Sequence, residues 1–246
     1  MRGILQEDFA FWILASVGLA PHAVTHVLGL LALLVSFWAI YEQGYVDNDR
    51  IAKAYEAAPR LTPEFHASTL ATPWWLPWTW AVIAGAIGAV LVRTPALPGP
   101  FDLCLWITIL LATSLWFRIY NRLDKGTRVW LFAGLQFARS TAFAALVPIS
   151  LVGALGLGAH VVARWVPYYV YRVGGKEWPD APFHLIRLLF FVIICAVLAL
   201  AGAGALLLGP TALMMLAWIL YRARGELAEV LQAAGRIDLG PRGRLP

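Results

Sequence analysis

The sequence predicts an all-α, polytopic integral membrane protein with about six transmembrane helices, within a range of five to seven. Hydrophobic residues make up 61% of the 246-residue chain and charged residues only 13%, against about 45–50% and about 25% in soluble domains. Long apolar runs recur along the chain, and several exceed the roughly 20 residues of one membrane crossing. Prolines and glycines interrupt these runs, so several helices are predicted to be broken.

The first apolar run covers residues 9–41, which carry no formal charge. A straight helix of that length would extend about 50 Å, whereas the hydrocarbon core of a bilayer is about 30 Å thick. Pro21 is the predicted break, because proline removes a backbone donor and clashes with the preceding turn. Two arrangements are open: an interfacial helix at residues 9–20 before a crossing at residues 23–41, which we favour, or a short helical hairpin.

Residues 42–73 are predicted to form a polar extramembrane loop. Five acids and three bases give this segment a net charge of −2, and a connector without a positive excess is permitted outside the cytoplasm. Four tryptophans follow at once: Trp74, Trp75, Trp78 and Trp80. Such a cluster is typical of an aromatic anchor at the membrane boundary, with an aromatic ligand cage as the alternative. The crossing that follows runs to about residue 92.

A proline-rich loop at residues 94–100 leads into another crossing at residues 101–117, which exits through the basic segment 118–128. The next run, residues 129–163, is interrupted by Arg139 and Pro148. We interpret Arg139 as a side chain that snorkels to the boundary. If segment 118–128 is cytoplasmic, the run must turn back on itself near Pro148. Otherwise the segment is exposed outside, against the positive-inside rule.

The basic, aromatic segment at residues 164–187 is the best-marked polar connector in the C-terminal half. Residues 188–221 are again too long for one upright helix, and a hairpin turning near residues 202–210 is predicted, because Gly and Pro suit such a turn. The positive-inside rule then places segment 164–187 and the arginine-rich tail, residues 222–246, together in the cytoplasm. The chain is therefore expected to form one membrane domain, residues 1–246.

The basic balance of the chain is a topology signal. The net charge is +5, and 16 of the 19 bases are arginine. Such flanks attract anionic lipid headgroups, and nucleic-acid binding is not expected because no basic face lies outside the membrane flanks. Cys104 and Cys195 lie in apolar runs and are interpreted as small buried hydrophobic residues.

Histidines are the candidate cofactor ligands of the sequence. His22 and His26 share a helix face if a helix starts at Pro21, and His160 lies near the end of another apolar run. Paired intramembrane histidines can bind a b-type haem. The alternative is that they lie near an interface or hydrogen-bond to neighbouring helices. Every carboxylate is assigned to a loop or flank, which disfavours proton-coupled transport, and we identify no catalytic residue and no metal site.

Residues 146–187 contain an apolar run, the segment ARWVPYYVYRVGGKEW and a short stretch that reaches His184, and a second Pro-interrupted apolar run follows. In this order of features the chain resembles a family of integrating-conjugative-element inner-membrane proteins of unknown biochemical role. The resemblance implies an accessory membrane subunit of a type IV secretion or conjugation apparatus. It carries over no site residues.

The leading hypothesis is a non-enzymatic integral membrane subunit that packs against other membrane subunits. The basic residues expected to contact a partner are Arg164, Arg172, Lys176, Arg222 and Arg224. Two alternatives from other classes stay open. One is a haem-binding electron-transfer subunit that uses His22, His26 or His160. The other is a small-solute transporter, which predicts a polar cavity at mid-membrane.

Overall fold

The computed structural model describes residues 3–55, 59, 61–62, 65, 73–124, 126–175 and 178–235. These residues form helices and turns, and no β-strand occurs among them. The N-terminal segment joins a π-helical turn at Ile4–Phe9, helix α1 at Ala10–Ser16 and a 3-10 turn at Val17–Leu19. The longer helices are α2 Ala23–Tyr55, α3 Trp75–Arg93, α4 Pro100–Arg122, α5 Arg128–Thr141, α6 Leu151–Gly174, α7 Phe183–Leu198 and α8 Pro210–Gly235.

Four helical segments have the length and apolarity of a membrane span: Ala23–Tyr55, Trp75–Arg93, Pro100–Arg122 and Phe183–Leu208. The last of these is α7 with its continuation through a π-helical turn, Ala199–Ala203, and a 3-10 turn, Gly204–Leu208. The prediction of an all-helical chain with several helices able to cross a membrane is therefore confirmed.

The N-terminal apolar run forms a helical hairpin. The residue before Pro21 is extended, with ψ of 135°, as expected for a residue that precedes proline. Beyond this break α2 runs back along α1, and Ser16 Oγ lies 2.9 Å from His26 Nε2. The predicted break at Pro21 is confirmed, and the helix that begins at residue 23 is long and apolar enough to cross a membrane, as predicted. Helix α1 before the break packs against other helices through Phe11 and Trp12, which are fully buried.

One end of the bundle, which we call the short-loop end, is nearly free of charge. It carries the connections at residues 20–22, 94–99, 146–150 and 209. The backbone N–H of Ser150 donates to the carbonyl of Ala15 at 2.9 Å, which joins two of these connections. Arg93 and Asp102 are the only charged residues among those described at this end, and they form an ion pair with each other.

The opposite end, which we call the charged end, carries the N-terminal turn, the ends of α2, α4 and α6, and the starts of α3, α5 and α7. Asn121 donates to the Gly44 carbonyl at 3.3 Å, and the indole of Trp165 donates to the Val129 carbonyl at 2.9 Å. These contacts bring the polar segments after α2, α4 and α6 to one end of the bundle.

Two of the long apolar runs turn back on themselves, one at the predicted hairpin and one where the sequence left two alternatives open. Residues 129–163 reverse through the 3-10 turn Ala142–Ala145 and the stretch around Pro148, so the basic segment 118–128 and segment 164–187 lie at the same end. The C-terminal run reverses at residues 199–209, where Gly202 has a φ of 86° that favours glycine. The predicted hairpin near residues 202–210 is confirmed.

Two predicted connectors are largely helical. Helix α2 continues unbroken to Tyr55, so residues 42–55 extend the first long helix instead of opening the polar loop. Helix α6 continues to Gly174 and α7 begins at Phe183, which leaves only residues 175–182 as a connector. The apolar run ends at the membrane boundary, but the residues beyond it favour helix. The helix therefore continues into the polar region. Most of residues 56–72, His66 among them, lie outside the described residues.

The tryptophans at the start of α3 face outward. Trp74, Trp75 and Trp80 are 75%, 51% and 59% exposed, and Trp78 is half-buried. Within the described part of the chain, no ring contact joins any two of the four. Exposed indoles at a helix end suit the membrane boundary, whereas a ligand cage would require the rings to face one another.

Close helix packing depends on a few glycines. A Cβ at Gly153 on α6 would lie 2.6 Å from the Cα and 2.8 Å from the carbonyl oxygen of Ala15. These are backbone atoms of α1, so neither can move aside. At Gly158 on the same helix nothing lies within 4 Å of the corresponding position.

We expect Gly153→Ala to lower the stability of the protein in detergent by about 1–3 kcal/mol, because the added methyl group overpacks the contact between α1 and α6. The matched variant Gly158→Ala adds the same methyl group into open space. It should be neutral or stabilising by about 0.5–1 kcal/mol, since alanine favours helix over glycine. Thermal unfolding of both variants gives the test, and equal melting temperatures would contradict the packing of α1 inside the bundle.

Candidate functional site

Charged side chains are buried where the N-terminal turn meets α5, α6, α7 and α8. We call this group the charged cluster and define it by eight residues: Glu7, Asp8, Arg139, His160, Arg164, His184, Arg187 and Arg222. Burial is nearly complete at its centre, where Asp8 is 1% exposed and Arg187 is 0% exposed. Ionisable groups at such depth are costly and mark a functional site by default.

Asp8 and Arg139 form a bidentate ion pair. The Nε and one Nη of Arg139 donate to the two carboxylate oxygens of Asp8 at 2.9 and 2.6 Å. The guanidinium also lies 4.6 Å from the ring centroid of Trp38, in cation–π geometry. The interpretation of Arg139 as a snorkelling side chain is therefore wrong, because a buried carboxylate provides a nearer partner than water at the boundary.

Glu7 ties the beginning of the chain to two other helices. One of its carboxylate oxygens accepts from Arg187 on α7, and the other accepts from Arg222 on α8. Arg222 also donates to Oε1 of Gln6 at 3.2 Å. The assignment of every carboxylate to a loop or flank is thus wrong for Glu7 and Asp8, which lie inside the folded protein.

Both carboxyl groups lie against arginine guanidinium groups. This contact favours the ionised form of each carboxyl group.

His160 lies between two guanidinium groups. Its Nε2 is 3.0 Å from Nε of Arg164, and its Nδ1 is 3.2 Å from an Nη of Arg187. The ring stacks on Phe11, with 4.8 Å between the ring centroids. A neutral imidazole has one acceptor nitrogen, and a protonated imidazole has none. His160 therefore accepts a hydrogen bond from only one of its two arginine neighbours.

His184 repeats this arrangement nearer the surface. Its Nδ1 lies 3.0 Å from an Nη of Arg187, and its Nε2 lies 3.4 Å from an Nη of Arg222. Here too a single acceptor nitrogen faces two donors. A residue of α8 holds the start of α7 in place. The carboxylate of Glu226 on α8 accepts hydrogen bonds from the backbone N–H groups of His184 and Leu185 at 3.2 and 2.6 Å.

A cleft of about 520 Å³ opens onto the charged cluster. Glu7, Arg139, Arg164, His184 and Arg222 contribute its acidic and basic lining, and the rest of the wall is formed by Gln136 and by aromatic, alanine and proline residues. The side chains of Arg164 and Arg222 are 19% and 22% exposed, so their guanidinium groups reach the open volume. The structure therefore combines a buried polar centre with a route of access to it.

The three candidate haem ligands lie in different surroundings. His22 is exposed at the short-loop end. His26 is buried there and contacts Ser16, whereas His160 belongs to the charged cluster, and the structure does not bring the three together. Among the described residues no group of three or more His, Cys, Asp and Glu side chains could hold a metal ion. Cys104 and Cys195 are both free thiols, and Cys104 is exposed, not buried as its apolar run predicted.

The basic residues predicted to contact a partner divide into two groups. Arg164 and Arg222 are engaged inside the charged cluster. Arg172 lies with its guanidinium over the rings of Tyr168 and Tyr171, and Arg224 is exposed on α8. Lys176 lies outside the described residues.

Five members of the cluster were not singled out as site residues by sequence reasoning: Glu7, Asp8, Arg139, His184 and Arg187. One signal was present. An arginine in the middle of an apolar run, such as Arg139, requires a partner, and adjacent acids directly before another apolar run are candidates for that partner. Spacing along the chain could not reveal the pairing, since Asp8 and Arg139 are 131 positions apart.

We expect Asp8→Asn to destabilise the protein by about 3–5 kcal/mol, because it leaves Arg139 buried without its counter-charge. The double variant Asp8→Asn with Arg139→Gln should lose less than the sum of the single variants, with a coupling energy of about 2–3 kcal/mol. Denaturant unfolding in detergent measures both.

The control is the ion pair Arg93–Asp102 at the short-loop end, where Arg93 is 37% exposed. Its coupling energy should not exceed about 1 kcal/mol, since an exposed pair is hydrated in both states. Equal coupling energies for the two pairs would show that the Asp8–Arg139 pair has no special role in the fold.

Comparisons with protein-family models, curated proteins and solved structures find no match to this chain. The function is therefore inferred from the charged cluster, the cleft and the two ends of the bundle.

Proposed function

We propose that the protein is a non-enzymatic integral membrane subunit of a larger complex, and that the terminal part of α8 contacts its partner. One observation carries this proposal. Residues 228–234 of α8 are exposed on every side, with Val230 and Leu231 48% and 63% exposed. A helix end of two turns is marginal on its own in water, and a partner surface would cover these apolar side chains.

The partner favoured by charge is an acidic protein surface. Residues 222–246 contain five arginines and three acids, and Arg224 is exposed next to the apolar residues of α8. Complementary charge would steer such a partner to the helix end, and the apolar side chains would supply the buried area. The resemblance of residues 146–187 supports a conjugation or type IV secretion apparatus as the setting, in a bacterial inner membrane.

The charged end faces the cytoplasm in this proposal. Every described Lys and Arg except Arg93 lies in the half of the bundle toward this end, and the positive-inside rule assigns such an end to the cytoplasm. Successive connections alternate between the two ends. This alternation supports eight passes of the chain, including the short segments at residues 4–19 and 128–145, against the six or so crossings expected from hydropathy.

Single cysteines introduced into a variant without Cys104 and Cys195 test the orientation. Gly225→Cys on α8 and Leu97→Cys at the short-loop end are both exposed positions. In sealed membranes, an impermeant thiol reagent should label Gly225→Cys only from the cytoplasmic side and Leu97→Cys only from the opposite side. Labelling of both from one side would contradict the alternation of the connections, and the reverse pattern would contradict the cytoplasmic assignment.

Removal of residues 227–246 tests the contact, because this truncation keeps Arg222 and Glu226, which hold the charged cluster and α7. We expect the truncated protein to remain folded but to lose a partner that copurifies with the full chain at fixed stoichiometry after cross-linking in membranes. Leu231→Glu should reduce this recovery at least tenfold, whereas the matched variant Leu97→Glu, 84% exposed at the other end, should not. Purification of the full chain alone, with binding only to anionic vesicles, would assign the helix end to lipid instead.

A small-solute transporter is the second candidate, and the cleft is the observation that favours it. This hypothesis predicts a polar cavity among the helices, and the cleft reaches Arg139 in the interior of the bundle. The buried carboxylates of Glu7 and Asp8 supply the acidic groups that the sequence did not show at membrane depth. Transport would additionally require access from the short-loop end.

A further inference from the structure

The charged cluster contains more positive than negative charge. Four guanidinium groups, those of Arg139, Arg164, Arg187 and Arg222, lie within 4 Å of two carboxylates, those of Glu7 and Asp8. The nearby carboxylate of Glu226 is engaged by two backbone N–H groups. Among the described residues of the cluster, one positive charge is uncompensated if Glu226 is counted, and two if it is not. Because burying unpaired charge is costly, this part of the cluster favours an added counter-charge.

Arg164 is the arginine without a carboxylate of its own. Its Nε donates to His160 at 3.0 Å, and its nearest carboxylate oxygen, Oδ1 of Asp8, lies 3.9 Å from its Nη, beyond hydrogen-bond distance. Asp8 is already occupied by the two donors of Arg139. The side chain of Arg164 reaches the cleft, so an incoming anion can meet its free donors there.

The cluster is also short of hydrogen-bond acceptors. His160 and His184 each present two ring nitrogens to arginine donors, although each neutral ring has only one acceptor. The Nε groups of Arg187 and Arg222 are buried and have no hydrogen-bond partner among the described residues. Buried donors are normally satisfied. Negative charge and acceptor oxygens are therefore missing at the same place, and the cleft gives access to it.

We propose that this cleft binds a ligand that carries a phosphate monoester, with Arg164, Arg139 and Arg222 as its principal contacts. Arginine forks suit both carboxylate and phosphate. A carboxylate offers two oxygens whose acceptor sites lie in one plane, as in the Asp8–Arg139 pair, whereas a phosphate offers three oxygens in three dimensions. The donors at the cleft come from three helices, α5, α6 and α8, and a tetrahedral group can accept from all of them. A phosphate monoester also carries about 1.5–2 negative charges, which matches the deficit.

The remaining wall of the cleft fits the organic part of such a ligand. Phe132, Trp178 and Phe183 line it together with Pro167 and Pro179. The phosphate has two sources, the headgroup of an anionic lipid such as phosphatidic acid and a soluble phosphate ester. Basic pockets between membrane helices bind lipid headgroups, and a cleft open to water admits soluble esters. This site does not depend on the proposed contact of α8 with a partner.

The test uses the full-length protein, purified in detergent and delipidated, with native mass spectrometry to confirm removal of lipid. Thermal stability is measured against inorganic phosphate and glycerol 3-phosphate, with potassium chloride at equal ionic strength as the control. The same measurement in nanodiscs compares phosphatidic acid with phosphatidylcholine. A saturable shift with the soluble phosphates assigns the site to a soluble ester. A shift with phosphatidic acid alone assigns it to a lipid headgroup.

Arg164→Gln is the decisive variant. It removes the guanidinium group of Arg164, and every carboxylate of the cluster keeps its own arginine or backbone partner. It should weaken phosphate affinity about ten- to a hundredfold, the value of hydrogen bonds to a charged group. The matched variant Arg172→Gln, two helical turns along α6 and away from the cleft, should bind within about twofold of wild type. Without ligand, Arg164→Gln should unfold at or above the temperature of the wild type, since it removes uncompensated charge.

Three results would overturn the proposal. One is the absence of a saturable shift with any phosphate probe. A second is an equal shift in thermal stability with citrate, which would show that the cleft binds carboxylates and does not select phosphate. The third is strong destabilisation of ligand-free Arg164→Gln, which would mean that the charge of Arg164 is already compensated. Loss of partner recovery on truncation of α8, with phosphate binding intact, would separate this site from the proposed subunit contact.

Discussion

The ion pairs made by Glu7 and Asp8 hold the architecture together. The N-terminal segment from Ile4 to Leu19 is too short to be a stable membrane helix by itself, yet it packs through the interior of the bundle. Asp8 fastens it to α5, and Glu7 fastens it to α7 and α8. Removal of either acid would leave buried guanidinium groups without a counter-charge, which costs more than the pair contributes when intact. The fold therefore depends on two adjacent residues near its beginning.

The position of these pairs explains the asymmetry of the bundle. Lipid cannot satisfy a charge, so charged groups at membrane depth must pair with each other or contact a water-filled space. Here they do both, because the cleft admits water to Arg164 and Arg222 while Asp8 and Arg187 are sealed beneath them. At the short-loop end the only charges described, Arg93 and Asp102, neutralise each other. Charge is thus concentrated where water can reach it.

Sequence patterns predicted the apolar helices and their turns because lipid imposes a strong and local constraint. The reversal at residues 202–210 follows from charge placement and from Gly and Pro alone, whereas the reversal near Pro148 was one of two alternatives that the sequence left open. The extension of α2 to Tyr55 was missed because hydropathy indicates which residues can lie in lipid. It does not indicate where a helix ends. The charged cluster was missed for a different reason. Its members come from five separate segments. Apart from His160, which was considered as a haem ligand, each one alone is an ordinary residue of a polar flank or a single interior arginine.

Stability alone does not account for the composition of the cluster. Well-packed apolar residues often replace a buried ion pair without loss of stability, or with a gain. A cluster kept only for stability would at least balance its charges and satisfy its donors. This one has four guanidinium groups against two contacting carboxylates, and two imidazoles that each face more donors than they can accept. The imbalance lies beside the open cleft and not in the sealed interior. An anionic group that enters the cleft can therefore complete the cluster. The unfavourable free energy of the uncompensated charge and unpaired donors is relieved when this group binds, which strengthens its binding.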